Sequence, residues 1–277
     1  SEAPITPEVI DGYATMGALA SEDNLKRLEG KEDVDHRRAS RPFGENCGFT
    51  IAESTQYIVL MDDELAMELG ADVHAAVSDV FINADGYKKS ISAPGPGNYI
   101  TMAKAVAAAR SIVGDESIKE RSFIQAHGSS TPANRVTESR IFDEVAKNFD
   151  IHNWPVSAVK AYVGHSLAPA SGEQLMATLG VFKHGLIPGI KSIDKVADDV
   201  FDDRLAISTQ DVDRGVGNVD VAFLNSKGFG GNNATATILS PQVAERMLAK
   251  RFGPEAMADY TQRREQVRAQ AAAYDAL

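Results

Sequence analysis

From residue 122 to residue 239, short apolar stretches of strand length alternate with longer stretches of helical periodicity. Such alternation favours an α/β fold, in which helices cover the faces of a mixed sheet. The predicted strands are 122–126, 155–159, 219–225 and 233–239, and the predicted helices between them are 134–147 and 171–184.

The flanking parts of the chain carry weaker signals. Apolar patterns predict helices near Pro7 and over 63–69 and 99–113, and strands at 49–52, 56–61 and Val73–Ile82, with a Pro/Gly loop at 93–98. Gly70 is placed to end the helix at 63–69. Residues 241–277 are rich in Ala, Gln, Arg and Glu, which predicts two helices broken near Gly253-Pro254.

Composition narrows the classes of protein to consider. The 277 residues are 43% hydrophobic and 24% charged, as in ordinary globular chains. No apolar run approaches the roughly 20 residues of a membrane helix. The single cysteine excludes an internal disulfide, so we expect a cytoplasmic protein. The net charge of -11 disfavours nucleic-acid binding, which depends on Lys and Arg at phosphates.

Three polar segments follow predicted strands, and the first is His127-Gly-Ser-Ser-Thr-Pro132. Functional groups of α/β folds are commonly presented at the carboxyl ends of strands. Gly128 would let a ligand chain approach the backbone closely, and Ser129 and Thr131 offer hydroxyls to a ligand that carries amides. For this segment alone, a histidine that merely satisfies its hydrogen bonds at a turn is the alternative.

The second segment, Lys160-Ala-Tyr-Val-Gly-His165, follows the predicted strand at 155–159. A lysine that ends an apolar strand is expected to be partly buried, and it then needs a carboxylate partner. Glu138, on the predicted helix after His127, is the candidate partner. The alternative is a surface lysine followed by a histidine at a helix entry.

The third segment, Asn225-Ser-Lys-Gly-Phe-Gly-Gly-Asn-Asn-Ala234, joins the last two predicted strands. Phe229 is flanked by glycines and can swing, and the exposed N–H groups of the turn can hold an anionic oxygen. A phosphate-binding loop is disfavoured, because no helix follows the glycines and no Gly-Lys-Ser/Thr ending is present. A plain β-hairpin turn is the remaining alternative.

In this order and at these spacings, the three segments resemble the β-ketoacyl-[acyl-carrier-protein] synthases, the decarboxylating condensing enzymes of fatty acid synthesis. That family has His-Gly-Thr-Xaa-Thr-Pro, Lys-Xaa-Xaa-Xaa-Gly-His and Asn-Ser-Phe-Gly-Phe-Gly-Gly-Xaa-Asn at the corresponding points. Met16-Gly-Ala-Leu19 and Ala39-Ser-Arg-Pro-Phe43 extend the resemblance, which continues to about residue 240. It implies a thiolase-like α/β fold of layered αβαβα architecture with mixed sheets.

The resemblance also implies roles for individual residues. His127 and His165 would drive decarboxylation of a malonyl thioester and stabilise the enolate, with Lys160 and Glu138 as a supporting ion pair. Phe229 would be a gating aromatic whose N–H helps to form the oxyanion hole. The implied substrate-binding residues are Ser129, Thr131, Gly228 and Gly230. The substrates would be carried on phosphopantetheine, by an acyl carrier protein or as coenzyme A, with no tightly bound cofactor.

The chain departs from the family pattern at several points. Lys227 replaces the first aromatic residue of the gate segment, and Pro169 is unusual after His165. Cys47 precedes a predicted strand in a core-facing loop, so its expected role is packing as a small buried thiol. The family's nucleophilic cysteine lies upstream of the matched region. We therefore expect this chain to be a C-terminal portion that works with a companion N-terminal segment.

The implied organisation is the end of an N-terminal half at 1–71, a C-terminal half at 72–240 and a helical extension at 241–277. The implied function is decarboxylating Claisen condensation of malonyl-acyl carrier protein with an acyl thioester, in a homodimer of the complete enzyme. The alternative is a non-catalytic ketosynthase-like partner that binds acyl chains or sets their length. Candidates for docking an acidic carrier protein, with a solvated face as the alternative, are Arg37, Arg38, Arg41, Lys88 and Lys89.

Overall fold

The computed structural model describes residues 2–87 and 95–276, in which helices lie on both faces of a six-stranded sheet. The helices are α1 (Pro7–Thr15), α2 (Glu22–Glu29), α3 (Asp63–Leu69), α4 (Gly97–Val113), α5 (Asp115–Glu120), α6 (Pro132–Asn148), α7 (Lys160–Val163), α8 (Ala170–His184) and α9 (Pro241–Asp275). The strands are β1 (Glu2–Ala3), β2 (Ser54–Thr55), β3 (Ala76–Ala84), β4 (Ser122–Gln125), β5 (Trp154–Ser157), β6 (Leu186–Ile187), β7 (Leu205–Ile207), β8 (Val212–Asp213), β9 (Val221–Gly228) and β10 (Asn232–Leu239). Lys88, Lys89 and the start of the predicted 93–98 loop lie outside the described residues.

The main sheet is mixed, as the alternation predicted, and its strand order is β3-β10-β9-β4-β5-β7. Strands β3, β10 and β9 are antiparallel, whereas β9, β4, β5 and β7 run parallel to one another. The carboxyl ends of β4, β5 and β9 therefore lie at one edge of the sheet. The three polar segments, which begin at His127, Lys160 and Asn225, therefore all lie at this edge.

The alternation of side chains along the strands builds a core on each face of the sheet. On one face, Ile124 and Phe223 pack with Met102 of α4 and Phe142 of α6. On the other face, the neighbouring Phe123 and Leu224 pack with Val181 and Phe182 of α8. Helix, sheet and helix thus form three successive layers of the predicted thiolase-like arrangement.

Several predicted boundaries are correct, and two strands are not. α3 ends at Gly70, which adopts the left-handed conformation at φ 65°, and α9 bends at Gly253 with φ 81°. The strands predicted at 49–52 and 56–61 are wrong: Phe49 and Ile51 make only isolated bridges, and the described strands do not pair with 56–61. An apolar β-prone run needs a neighbouring strand for its backbone hydrogen bonds.

The C-terminal helix α9 is anchored on α3. Met67, Leu248 and Tyr260 form a small buried cluster, and the Tyr260 hydroxyl donates to the carbonyl of Ala71 at 2.8 Å. Arg268 pairs with Asp72 at 2.7 Å. α9 carries charges along its length, and among the described residues no helix is long and apolar enough to cross a membrane.

Candidate active site

Two histidine rings from the first two predicted segments meet at the carboxyl edge of the sheet. β4 ends at Gln125 and delivers His127, while β5 leads through α7 to His165. The ring centroids are 5.1 Å apart and the ring planes make an angle of 82°. His127 is only 9% exposed, whereas His165 is half-buried.

Both imidazoles are neutral near pH 7. Burial, and then the charge of Lys160, lowers the pKa of His165 to about 3. Burial also holds the pKa of His127 well below its usual range, with Lys160 and His165 adding to the effect. The backbone N–H of Leu167 donates to Nδ1 of His165 at 3.1 Å. The single proton of His165 is therefore on Nε2, which can donate to a substrate oxygen.

Lys160 is fully buried and supports His127 from behind. Its ammonium donates to the carbonyl of His127 at 2.7 Å. Burial lowers the pKa of Lys160 to about 8, while the charges of Glu138 and Glu173 act in the opposite direction. The prediction that Lys160 ends a strand is wrong, because β5 ends at Ser157 and Lys160 begins the short helix α7.

Glu138 occupies the centre of the hydrogen-bond network beneath His127. Its carboxylate accepts from the N–H groups of His127 at 2.6 Å and Gly128 at 2.8 Å, from Asn134 Nδ2 at 2.8 Å and from Asn225 Nδ2 at 2.7 Å. Lys160 and Glu138 make no direct salt bridge among the described side chains, but the charge of Glu138 acts to raise the pKa of Lys160, as the predicted ion pair requires. With four N–H donors around it, the carboxylate is already satisfied, and the two residues meet through the His127 peptide group.

The backbone around the two histidines adopts uncommon conformations. Gly128 has φ 51°, and a Cβ at this position would lie 2.8 Å from the Cβ of Ala158, so only glycine fits. Ser130 and Leu167 have φ values of 63° and 64°, which L-residues other than glycine seldom adopt. Such conformations persist only where the surrounding contacts hold them.

Ser129 and Thr131, the predicted ligand hydroxyls, flank this strained backbone. Their oxygens are 3.1 Å apart and form a hydrogen bond with each other. Ser129 is buried and Thr131 is half-buried. The two hydroxyls thus form one polar pair beside His127.

The predicted hairpin turn follows β9, and its aromatic residue is half exposed. Phe229 is 52% exposed between the exposed Gly228 and Gly230. Its ring lies 5.9 Å from that of Tyr13 on α1, and Tyr13 lies 5.1 Å from Phe49, which is 5.2 Å from the His165 ring. A continuous row of rings therefore connects the turn with the histidine pair. The rings of Tyr13 and Phe49 lie between Phe229 and His165.

Lys227, the departure from the family's gate pattern, points to the amide groups behind the turn. Its ammonium donates to Asn233 Oδ1 at 3.3 Å and to Asn98 Oδ1 at 3.5 Å. Asn98 in turn exchanges hydrogen bonds with Asn225, at 2.6 and 3.1 Å. The lysine is therefore part of the polar network that continues to Glu138.

The sequence patterns missed the residues that join the three segments. Gln174 of α8 is fully buried, and its Nε2 donates to the carbonyls of Gln125, Ala126 and Asn225 at 3.1, 2.8 and 3.0 Å. In the sequence, Asn225 is distinguished only as the first residue of the third segment. Both are amides within regular elements, a weak signal in a sequence, because the partners of Gln174 lie about 50 residues away along the chain.

Cys47 packs against the core as predicted, although it is half-buried and not fully buried. It lies against the small cluster of Leu25, Val34 and Ala39. Burial raises the pKa of its thiol, although the positive charges of Arg41 and Arg27 oppose this. A reactive cysteine needs the opposite shift.

The candidate docking arginines each have an acidic partner. Arg37 pairs with Asp35 and Arg38 with Asp194, both at 2.9 Å. Arg41 pairs with Glu29 in a half-buried position. Their charges are therefore partly balanced within the chain.

Comparison with known proteins agrees with this geometry. Residues 74–194 match the family model "Beta-ketoacyl synthase, C-terminal domain". The β-ketoacyl-[acyl-carrier-protein] synthase FabY of Pseudomonas aeruginosa is 66% identical over 275 residues, which are 99% of this chain and 43% of that protein. This chain spans about half the length of the curated relatives it matches.

Solved structures show the same fold. The crystal structure of the noncanonical ketosynthase FabY from P. aeruginosa superposes with a TM-score of 0.96 at 66% identity, over 99% of this chain and 43% of that one. A type II polyketide synthase acyl-carrier protein in complex with its ketosynthase superposes with a TM-score of 0.70 at 24% identity, over 87% of this chain and 54% of that one. The second likeness concerns the fold alone.

Proposed function

We propose that this chain, which matches the family model of the β-ketoacyl synthase C-terminal domain and is 66% identical to FabY of Pseudomonas aeruginosa, supplies the histidine pair for a decarboxylating Claisen condensation. The substrates are malonyl-acyl carrier protein and an acyl thioester, in fatty acid synthesis. The neutral pair of buried His127 and half-buried His165, with ring centroids 5.1 Å apart, is the observation that carries the proposal. A neutral imidazole keeps one N–H, and this group can donate a hydrogen bond to a thioester oxygen.

The proposed reaction uses that geometry. The bond between the malonyl α-carbon and its carboxylate breaks, carbon dioxide leaves, and the electron pair passes to the thioester oxygen as an enolate. Nε2–H of His165 and the ring of His127 donate to this oxygen as its charge develops, in a site where water does not weaken the interaction. The enolate carbon then attacks the acyl thioester, forms the new carbon–carbon bond and expels the acyl group's thiolate.

We place the nucleophilic cysteine that carries the acyl group outside this chain. Cys47 packs in another cluster, and its thiol pKa is raised. The exposed apolar run at Tyr57–Met61 and the outward-facing Val80 and Ile82 of β3 would be covered by a companion segment of the full protein. The division into 1–71, 72–240 and 241–277, and a homodimer of the complete enzyme, belong to the same proposal.

The acyl carrier protein is the proposed partner, and phosphopantetheine is the proposed arm. The 66% identical relative, a β-ketoacyl-[acyl-carrier-protein] synthase, supports the first. The hydroxyl pair of Ser129 and Thr131 beside His127 supports the second, because hydroxyls suit the amides of a pantetheine chain. Gly228 and Gly230 leave room for the arm beside Phe229.

Release of carbon dioxide from malonyl-acyl carrier protein by the full-length protein tests the proposal. We expect His127→Ala to lower the rate by about a hundredfold or more, since it removes one donor to the developing oxyanion. His152→Ala is the matched control, because His152 lies on the surface with Asp150 and Arg204. Equal rates in the wild type and His127→Ala would favour a non-catalytic partner subunit instead.

A further inference from the structure

Glu173 is a buried carboxylate to which the mechanism above assigns no role. It lies in the first turn of α8 and is 8% exposed. Within the described part of the chain, its buried Oε2 atom has no hydrogen-bond partner. Burial of a carboxylate without donors is costly, so a compensating group is expected near it.

Lys160 has the complementary deficit. It is 1% exposed, and of the three N–H donors of its ammonium, only the one directed at the His127 carbonyl has an acceptor among the described residues. The predicted partner, Glu138, is already held by four N–H donors. A second carboxylate is therefore needed to balance the lysine.

The backbone places these two side chains at the same loop. The carbonyl of Ala126 accepts from Gln174, the residue after Glu173, and the next carbonyl, that of His127, accepts from Lys160. The first turn of α8 and Lys160 thus converge on two consecutive peptide groups. The charge of Glu138, and then that of Glu173, acts to raise the pKa of Lys160 against the effect of burial, so Glu173 adds to the compensation that Glu138 supplies from a distance.

We propose that Glu173 is the counter-ion of Lys160, joined to it through a bridging water, and that it is thereby a positioning residue for His127. The two side chains make no direct salt bridge, and a water with polar partners on both sides is a common way to satisfy buried groups. Lys160 holds the carbonyl of His127, so a fixed ammonium fixes the loop that carries the imidazole. The effect on catalysis rests on the proposed function, whereas the ion pair does not.

A double-mutant cycle in the full-length protein tests the pair without any assay of activity. The variants are Glu173→Gln, Lys160→Met and the two combined, with Glu144→Gln as a control at an exposed carboxylate of α6. Each single change leaves one buried charge uncompensated, so we expect both to lower the midpoint of denaturant unfolding. The double variant should lose less than the sum of the two. Additive losses in the unfolding midpoint would overturn the proposed ion pair. If a single variant fails to fold, the double variant should fold again, and its failure to do so would also overturn the pair.

Kinetics test the positioning role separately. We expect Glu173→Gln to lower kcat for malonyl decarboxylation by about tenfold to a hundredfold with an unchanged KM. The substitution displaces the His127 imidazole but leaves the substrate-binding contacts in place. Glu144→Gln should behave as the wild type. An unchanged kcat in Glu173→Gln would overturn the positioning role. Coupling in the stability cycle together with an inactive wild type would refute the proposed function and leave the ion pair standing.

Discussion

The floor of the site, residues 125–138, and the turn at 228–231 differ in how firmly the fold holds them. In the floor, the Glu138 carboxylate is fully buried and binds four N–H donors. In the turn, Phe229 is 52% exposed, and Gly230 and Gly231 have φ values of 87° and 92°. Groups that stabilise a developing charge have to be fixed in advance, whereas a group that admits substrate has to move.

A single strand serves both regions. Asn225 of β9 donates to Glu138 in the floor, and Phe229 follows four residues later in the turn. The strand changes from buried at Asn225 to exposed at Gly228. The contrast is therefore produced within one short stretch of chain. Variants in the floor and variants in the turn should differ in how much they lower the free energy of unfolding.

The largest expected effect is in the floor. Glu138→Gln replaces an acceptor of four hydrogen bonds by an amide whose NH₂ faces donors, and we expect the free energy of unfolding to fall by about 3–5 kcal/mol. Chemical denaturation of this variant beside Glu144→Gln, an exposed change on the same helix, measures it. A loss no greater than that of the control would remove the distinction between floor and turn.

The next effect is an acid dependence that belongs to the floor. The pKa of His165 is lowered to about 3, below the ordinary value of about 6.5, so the unfolded chain takes up the proton first. The free energy of unfolding should then fall as pH decreases from about 6.5 towards 3. Unfolding measured at several pH values should show a shallower slope in His165→Asn and an unchanged slope in Phe229→Ala. An identical slope in all three proteins would contradict the assignment.

At the turn itself the expected change in stability is smaller. Phe229→Ala removes a ring that is half exposed already, so we expect the free energy of unfolding to change by about 1 kcal/mol or less. The same denaturation experiment measures it. A loss as large as that of Glu138→Gln would mean that the turn is as firmly built as the floor.

The smallest effect is expected at the residue that supports the turn. Tyr13 contacts Phe49 and Phe229 through its ring, and its hydroxyl has no hydrogen bond to the described residues. Tyr13→Phe keeps both ring contacts and should stay within about 0.5 kcal/mol of the wild type in unfolding free energy. A larger loss would show that the hydroxyl has a partner in the full protein.

The elements that follow from local patterns were predictable. Glycine ends α3 and bends α9 because few other residues adopt a positive φ, and this is visible in the sequence at Gly70 and Gly253. The histidine pair was predicted from the family resemblance, and the two rings do meet, because His127 and His165 both follow parallel strands whose ends share one edge.

The connections within the site were not predictable. Glu138 and Asn225 lie 87 residues apart in the chain, and nothing local shows that an amide rather than Lys160 meets the carboxylate. The strand predicted at 56–61 failed for a related reason, since a strand depends on its neighbours and the described residues provide none. Both the contact of Glu138 with Asn225 and the absence of a strand at 56–61 depend on residues that are distant in sequence.

The backbone of His165 is bonded on both sides to a segment more than a hundred residues earlier. Its N–H donates to the carbonyl of Thr50 at 2.7 Å, and its own carbonyl accepts from the N–H of Ala52 at 3.1 Å. Both histidines fall within the region 74–194 that matches the family model, whereas Thr50 and Ala52, which bond the backbone of His165, lie outside it. A domain graft or circular permutation that transferred only the matched domain would carry both histidines and leave behind the backbone that holds His165 in place.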